Sequence, residues 1–194
     1  MNKWLISLML LLLQCPLAQA LTGRQQDSIK IEQLLRESRA LRPADNRILF
    51  FARKFLSAPY VGGTLDKAKE EHLVINTRQL DCTTFVENVL ALALCSKRGE
   101  YSFHDFCVQL QKIRYRGGTV AYTERLHYFS DWMEDNSKMG FVRVIESKAH
   151  PFNAIQHVSI NYMSKHPSAY AMLSAHPQWM PGIIKTEKRL TGRK

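Results

Sequence analysis

The segment Leu80–Leu94, LDCTTFVENVLALAL, limits what this chain can fold into more than any other. Asp81 suits a helix N-cap, and everything after it reads as helix. The only charged or amide side chains in that helix are Glu87 and Asn88. A helix that is apolar nearly all round is buried on most sides, so other elements must surround it. The same segment puts Cys82 on the first helical turn. A thiol attacks as thiolate, and the unpaired amides of a helix N-terminus favour that form. Those amides can also hold the oxyanion that develops when an amide carbonyl is attacked. Free cysteine is equally among the most buried residue types, so position alone leaves a packing role open.

Residues 1–20 stand apart from the fold. Lys3 supplies a positive start, LISLMLLLL is too short to span a bilayer, and Ala18–Ala20 form a small-residue cleavage site. The pattern is that of a signal peptide cut after Ala20, with an uncleaved membrane anchor the weaker alternative. Gln14 before Cys15 argues against a lipoprotein. The expectation is an exported protein, periplasmic, with no stable membrane insertion after cleavage. That leaves 174 of the 194 residues, enough for one domain with a real core. Without Lys3 there are 26 basic and 17 acidic residues, a formal charge of +9. The basic residues are scattered, apart from the terminal KTEKRLTGRK. They point to a solvated surface, or to anionic cell-wall or membrane material, rather than to nucleic acid. Cys82, Cys95 and Cys107 are an odd number, so at least one stays free unless it pairs between chains. No CxxC or His/Cys cluster has metal-ligand spacing, and no metal or cofactor is expected.

Periodicity predicts a helix over Ser28–Ala40, with Ile31, Leu34 and Leu35 on one stripe, and a second over Asp45–Leu56 started by Asp45. PYVGGTLD, from Pro59, is a glycine-rich loop, and HLVINTRQL is a short strand or extended run leading to Asp81. Phe103, Phe106, Cys107, Leu110 and Ile113 form a further helical stripe, which makes Cys107 a core cysteine. Cys95 and Cys107, on consecutive helices, are the two that could pair. Arg116–Gly118 end that helix. RLHYFSDWMEDNSKMG reads as another, closed by Gly140, and FVRVIES alternates like a strand. Short helical segments follow near 168–174 and 182–190. Strand signals are scarce for a chain of this length.

APYVGGTLD followed by LDCTTFVENVLAL resembles the NlpC-type cysteine hydrolases, papain-like enzymes that cut peptidoglycan. LVINTRQLDCTTFVE, YRGG, RLHYFSDWMEDN and INYMSKHPSAY, in that order, are similar to the blocks of one branch, the N-acetylmuramoyl-L-alanine amidase-like family. The resemblance covers nearly all of the chain after residue 20. It implies hydrolysis of the amide between the muramic lactyl group and L-alanine in peptidoglycan fragments, by a Cys/His mechanism without cofactor. It also implies an α+β fold, a central helix carrying the cysteine against an antiparallel sheet. This chain would hold mostly the helical N-terminal part, with much of the sheet missing.

Carried over by position, Cys82 is the nucleophile, Asp81 fixes its geometry and Tyr60 lines the site. Arg125, His127, Tyr128, Asp131 and Trp132 shape the substrate groove, although Trp132 reads equally well as a core aromatic. The family's basic histidine lies in a His-Val-Gly-Ile-like context after a Gly-Asp segment, about where this chain ends. HVSI at His157 precedes the INYMSKHP block, so block order argues against His157 as the base. The expectation is residues 21–194 as the N-terminal portion of an amidase, cut short and inactive by itself. The alternatives are a peptidoglycan-binding remnant without turnover and a basic exported protein that binds anionic polymers.

Overall fold

A computed structural model describes residues 22–145 and 156–193. The expected signal peptide, its cleavage point, Cys15 and the end of FVRVIES lie outside them. In chain order the helices are α1 (Gly23–Glu37), α2 (Arg47–Arg53), α3 (Cys82–Arg98), α4 (Phe103–Arg114), α5 (Phe129–Lys138), α6 (Tyr162–Lys165), α7 (Ala171–Ala175) and α8 (Met180–Leu190). Two two-residue strands, β1 (His157–Val158) and β2 (Gly192–Arg193), pair antiparallel.

The central position expected for the cysteine helix is what the structure shows. α3 packs against α1, α2 and α4, and Val89–Ala93 is buried without a break. Ile31, Leu34 and Leu35 of α1, Phe51 of α2, and Phe106, Leu110 and Ile113 of α4 close around it. Glu87 and Asn88 are themselves buried, at 2% and 1% exposure. A helix buried on most sides must bury its polar side chains with partners. Asn88 donates to the Thr84 carbonyl at 2.7 Å, and Glu87 meets Arg114 of α4. A second, smaller core gathers Tyr122, Met163, Met172, Leu173 and Ile183.

The described residues are mostly helical, as expected for the helical part of the fold, and their strands are limited to the two short ones. Several local expectations need correction. The first helix starts five residues early because Thr22 and Gln25 close a capping box. In α2 the cap is Asn46, which accepts from Leu49 N at 3.0 Å. Asp45 instead turns back to Arg42. RLHY is not helical. Arg125 and Leu126 pair with the end of α4, Leu126 N donating to Arg114 O at 2.9 Å, and α5 begins only at Phe129. Residues 141–145 form no strand. Gly140 does close the helix, with φ 71°, the left-handed region where glycine has no Cβ penalty. Cys95, at 0% exposure, is the core cysteine, whereas Cys107 is only partly covered, and both are free thiols.

Candidate active site around Cys82

Asp81 caps α3 as its sequence position suggests. Its carboxylate accepts from Thr84 N at 2.8 Å, and Thr84 Oγ1 accepts from Asp81 N at 2.9 Å. The reciprocal pair satisfies two donors and holds the first turn in place. A single parallel bridge brings the glycine-rich loop alongside, with Val61 N donating to Leu80 O at 3.0 Å and Leu80 N to Pro59 O at 3.1 Å. Tyr60 therefore stands next to Cys82. The nearby Cys82 sulfur raises the Tyr60 hydroxyl above the ordinary phenol range.

Cys82 is exposed and opens into a shallow cleft of about 300 Å³ walled by Phe55, Ala58, Tyr60, Leu80 and Phe85. Apolar exposure continues beside it, with Leu56 and Tyr60 each 75% exposed. Asp81 also lines a second, polar cleft of about 200 Å³. Thr83, Glu87, Arg114, Arg125, His127 and Tyr128 contribute to that one. The two clefts meet at the start of α3, one apolar and one charged.

The polar cleft is built on buried pairs. Arg114 Nε donates to Glu87 Oε2 at 2.8 Å and its Nη1 to Val74 O at 2.6 Å. Burial raises the Glu87 carboxyl above its usual range, against the opposing pull of Arg114. Arg125 pairs with Asp66, donates to Leu65 O at 3.3 Å and lies over the Tyr122 ring. The Arg125 Nε is buried without an acceptor. His127 Nε2 lies 2.8 Å from the Tyr122 carbonyl. A carbonyl only accepts, so Nε2 carries the proton and Nδ1 keeps the lone pair. Burial, with the charge of Arg125, pushes the His127 imidazole down to about 3. A ring held that low is a weak base and stays a neutral hydrogen-bonding group.

The residues expected at the site therefore divide. Cys82 and Tyr60 share the apolar cleft, and Arg125, His127 and Tyr128 line the polar one. Asp131 and Trp132 line neither. Asp131 is buried between Arg116, at 2.6 Å, and Arg189. Trp132 is 3% exposed, packs in the main core and stacks on Phe129. His157 is exposed on β1, opposite Arg193. Among the described residues no histidine bonds the Cys82 sulfur, which has Thr83 Oγ1 at 4.0 Å and shares its cleft with Tyr60. Glu87, Arg114 and Asp66 were missed from sequence. Glu87 alone carried a signal there, a carboxylate inside a helix with no polar face.

Burial raises the Cys95 thiol to about 12 and also raises that of Cys107. Cys82 is therefore expected to alkylate fastest at neutral pH, by about tenfold or more over Cys95. Peptide mapping after brief iodoacetamide treatment measures this. Equal labelling of Cys95 in the folded chain would contradict it.

Among the described residues no helix is long and apolar enough to cross a membrane, and no group of three or more His, Cys, Asp or Glu is placed to hold a metal ion. Comparison with solved structures finds an N-acetylmuramoyl-L-alanine amidase from Bacteroides uniformis at 39% identity and TM-score 0.67, matched over 75% of this chain and 61% of that one. A Bacteroides fragilis protein provisionally named a xylanase matches at 41% identity and TM-score 0.64, over 73% and 61% of the two chains. The Legionella pneumophila protein LPG0564 shares the fold at 24% identity and TM-score 0.52, over 72% of this chain and 42% of that one. The chain thus spans about three-fifths of the length of the first two. No curated protein gives a significant match. The family model for N-acetylmuramoyl-L-alanine amidase-like proteins matches residues 50–192, from α2 through β2. That span holds Tyr60, the capped Cys82 and both clefts, and the chain belongs to the N-acetylmuramoyl-L-alanine amidase-like family.

Proposed function

We propose that this chain carries the nucleophile and substrate clefts of an exported, NlpC-type cysteine amidase that acts on the N-acetylmuramoyl–L-alanine bond of peptidoglycan fragments. The observation that carries the reading is Cys82, exposed on the first turn of a capped, buried helix, where the two clefts meet. In the reaction the Cys82 thiolate attacks the lactyl carbonyl carbon and the first-turn amides receive the oxyanion. The C–N bond then breaks, and the amine of L-alanine leaves with a proton. Water hydrolyses the resulting thioester and frees the thiol.

Both proton transfers need a positioned acid–base group. Among the described residues none touches Cys82 as an imidazole, and His127 is too weak a base. These residues are therefore expected to bind substrate without turning it over. That same observation favours the second reading, a peptidoglycan-binding protein without turnover.

Protection of Cys82 tests the site. Muramoyl dipeptide is expected to slow Cys82 alkylation several-fold, while a xylan oligosaccharide or an unrelated polyanion leaves the rate unchanged. Equal protection by the polyanion, lost steeply with salt, would replace substrate recognition with simple charge attraction. No protection by muramoyl dipeptide at millimolar concentration would count against both peptidoglycan readings.

A further inference from the structure

A groove of about 550 Å³ lies between the start of α2 and the C-terminal half of α3. Small-ligand pockets span roughly 300–1,000 Å³. Leu90, Leu94, Ile48 and Phe141 supply its apolar wall, and Arg47 and Lys97 also line it. Phe141 reaches this place because Gly140 turns the chain at the end of α5 and Phe141 N donates to Asn136 O at 2.9 Å. Leu90 to Lys97 lie eight to fifteen residues beyond Cys82, roughly 12–22 Å along the helix. The groove shares no lining residue with the two clefts beside the thiol.

Its positive charge is only partly compensated. Asp45 is the acid in the lining, and its carboxylate is already used by Arg42, accepting from the backbone N at 2.8 Å and from Nη2 at 3.0 Å. Among the described residues neither Arg47 nor Lys97 forms a direct ion pair with a carboxylate, and Arg47 acts on Asp45 through its charge alone. Arg47 reaches only the Arg42 carbonyl, at 3.4 Å, and its Nε is buried with no acceptor. A buried guanidinium donor left open is uncommon in a folded protein, and guanidinium pairs well with carboxylate and phosphate.

We propose that this groove binds a small ligand with an anionic head, carboxylate or phosphate, on an apolar body. The head sits between Arg47 and Lys97, and the body lies on Leu90, Leu94 and Phe141.

Calorimetric titration of the purified protein with octanoate, octyl phosphate and uncharged octanamide tests it. One equivalent of octanoate or octyl phosphate is expected to bind, and octanamide at least about tenfold more weakly. The better of the two anions identifies the head. Arg47→Gln and Lys97→Gln should each weaken that anion about tenfold while circular dichroism shows an unchanged fold. The rate of Cys82 alkylation should not respond to the anion. Absence of saturable binding by both anions would overturn the proposal. So would octanamide binding as tightly, indifference to both substitutions, or slowed Cys82 alkylation, which would put the ligand in the thiol cleft instead.

Discussion

Glu87→Ala is expected to destabilise the fold by about 3–5 kcal/mol, the range for removing one partner of a buried ion pair. Both side chains are 3% exposed. With the carboxylate gone, Arg114 keeps its bond to Val74 O but loses its counter-charge where water cannot replace it. The penalty is mainly that orphaned charge, not the net worth of the pair. The double variant Glu87→Leu/Arg114→Leu should therefore cost less than the sum of its single changes. Urea unfolding of the parent, Glu87→Ala, the two leucine single variants and the double variant measures both quantities. A single-variant cost under about 1 kcal/mol, or strict additivity, would show that Arg114 finds another partner or that solvent enters the polar cleft.

Turnover is the second large effect. Joining this chain to the part of the Bacteroides uniformis amidase that it does not match should give a protein that releases L-alanyl peptide from muramoyl peptides. Cys82→Ala in that protein is expected to lower the release by at least about a thousandfold. In the proposed mechanism Cys82 forms the acyl-enzyme, and loss of a nucleophile removes the whole covalent route. Asp81→Ala should act differently. It removes the cap at a cost of about 1 kcal/mol and loosens the turn that aims the sulfur, lowering turnover without abolishing it. A Cys82→Ala protein that cleaves near the parent rate would end the nucleophile assignment. A parent that cleaves the peptide elsewhere would end the bond assignment.

The elements that could be read directly were those whose information is local. Asp81 before CTTF announces a cap because the carboxylate and the Thr84 amide are three residues apart. The burial of α3 follows from its lack of a polar face. The stripes at Ile31, Leu34 and Leu35, and at Phe106, Leu110 and Ile113, are sums over neighbouring residues and needed no tertiary knowledge. Where local signals competed, the reading slipped. RLHY has the pattern to continue a helix, yet its backbone is used to pair Arg125 and Leu126 with Tyr115 and Arg114. Asp45 was as good a cap as Asn46 until Arg42 claimed it. Cys107 lay on the apolar stripe, but α3 covers the other side of that stripe more fully, and Cys95 is the thiol sealed inside.

The sequence by itself determined the placement of Cys82: a cysteine one residue past a helix cap, on a helix that must be central because it is apolar on most sides. It also carried the motif blocks that mark the family. Only the tertiary structure decided which members of those blocks reach the site. Asp131 and Trp132 stand four and five residues after His127, yet α5 turns one into the ion cluster with Arg116 and Arg189 and the other into the core. Arg114, 32 residues beyond Cys82, enters the polar cleft because α4 folds back along α3 to pair with Glu87. Spacing in a sequence reports which side chains share a helix face. Which face meets the cleft depends on contacts between residues far apart in the chain, and those contacts exist only once the helices have packed.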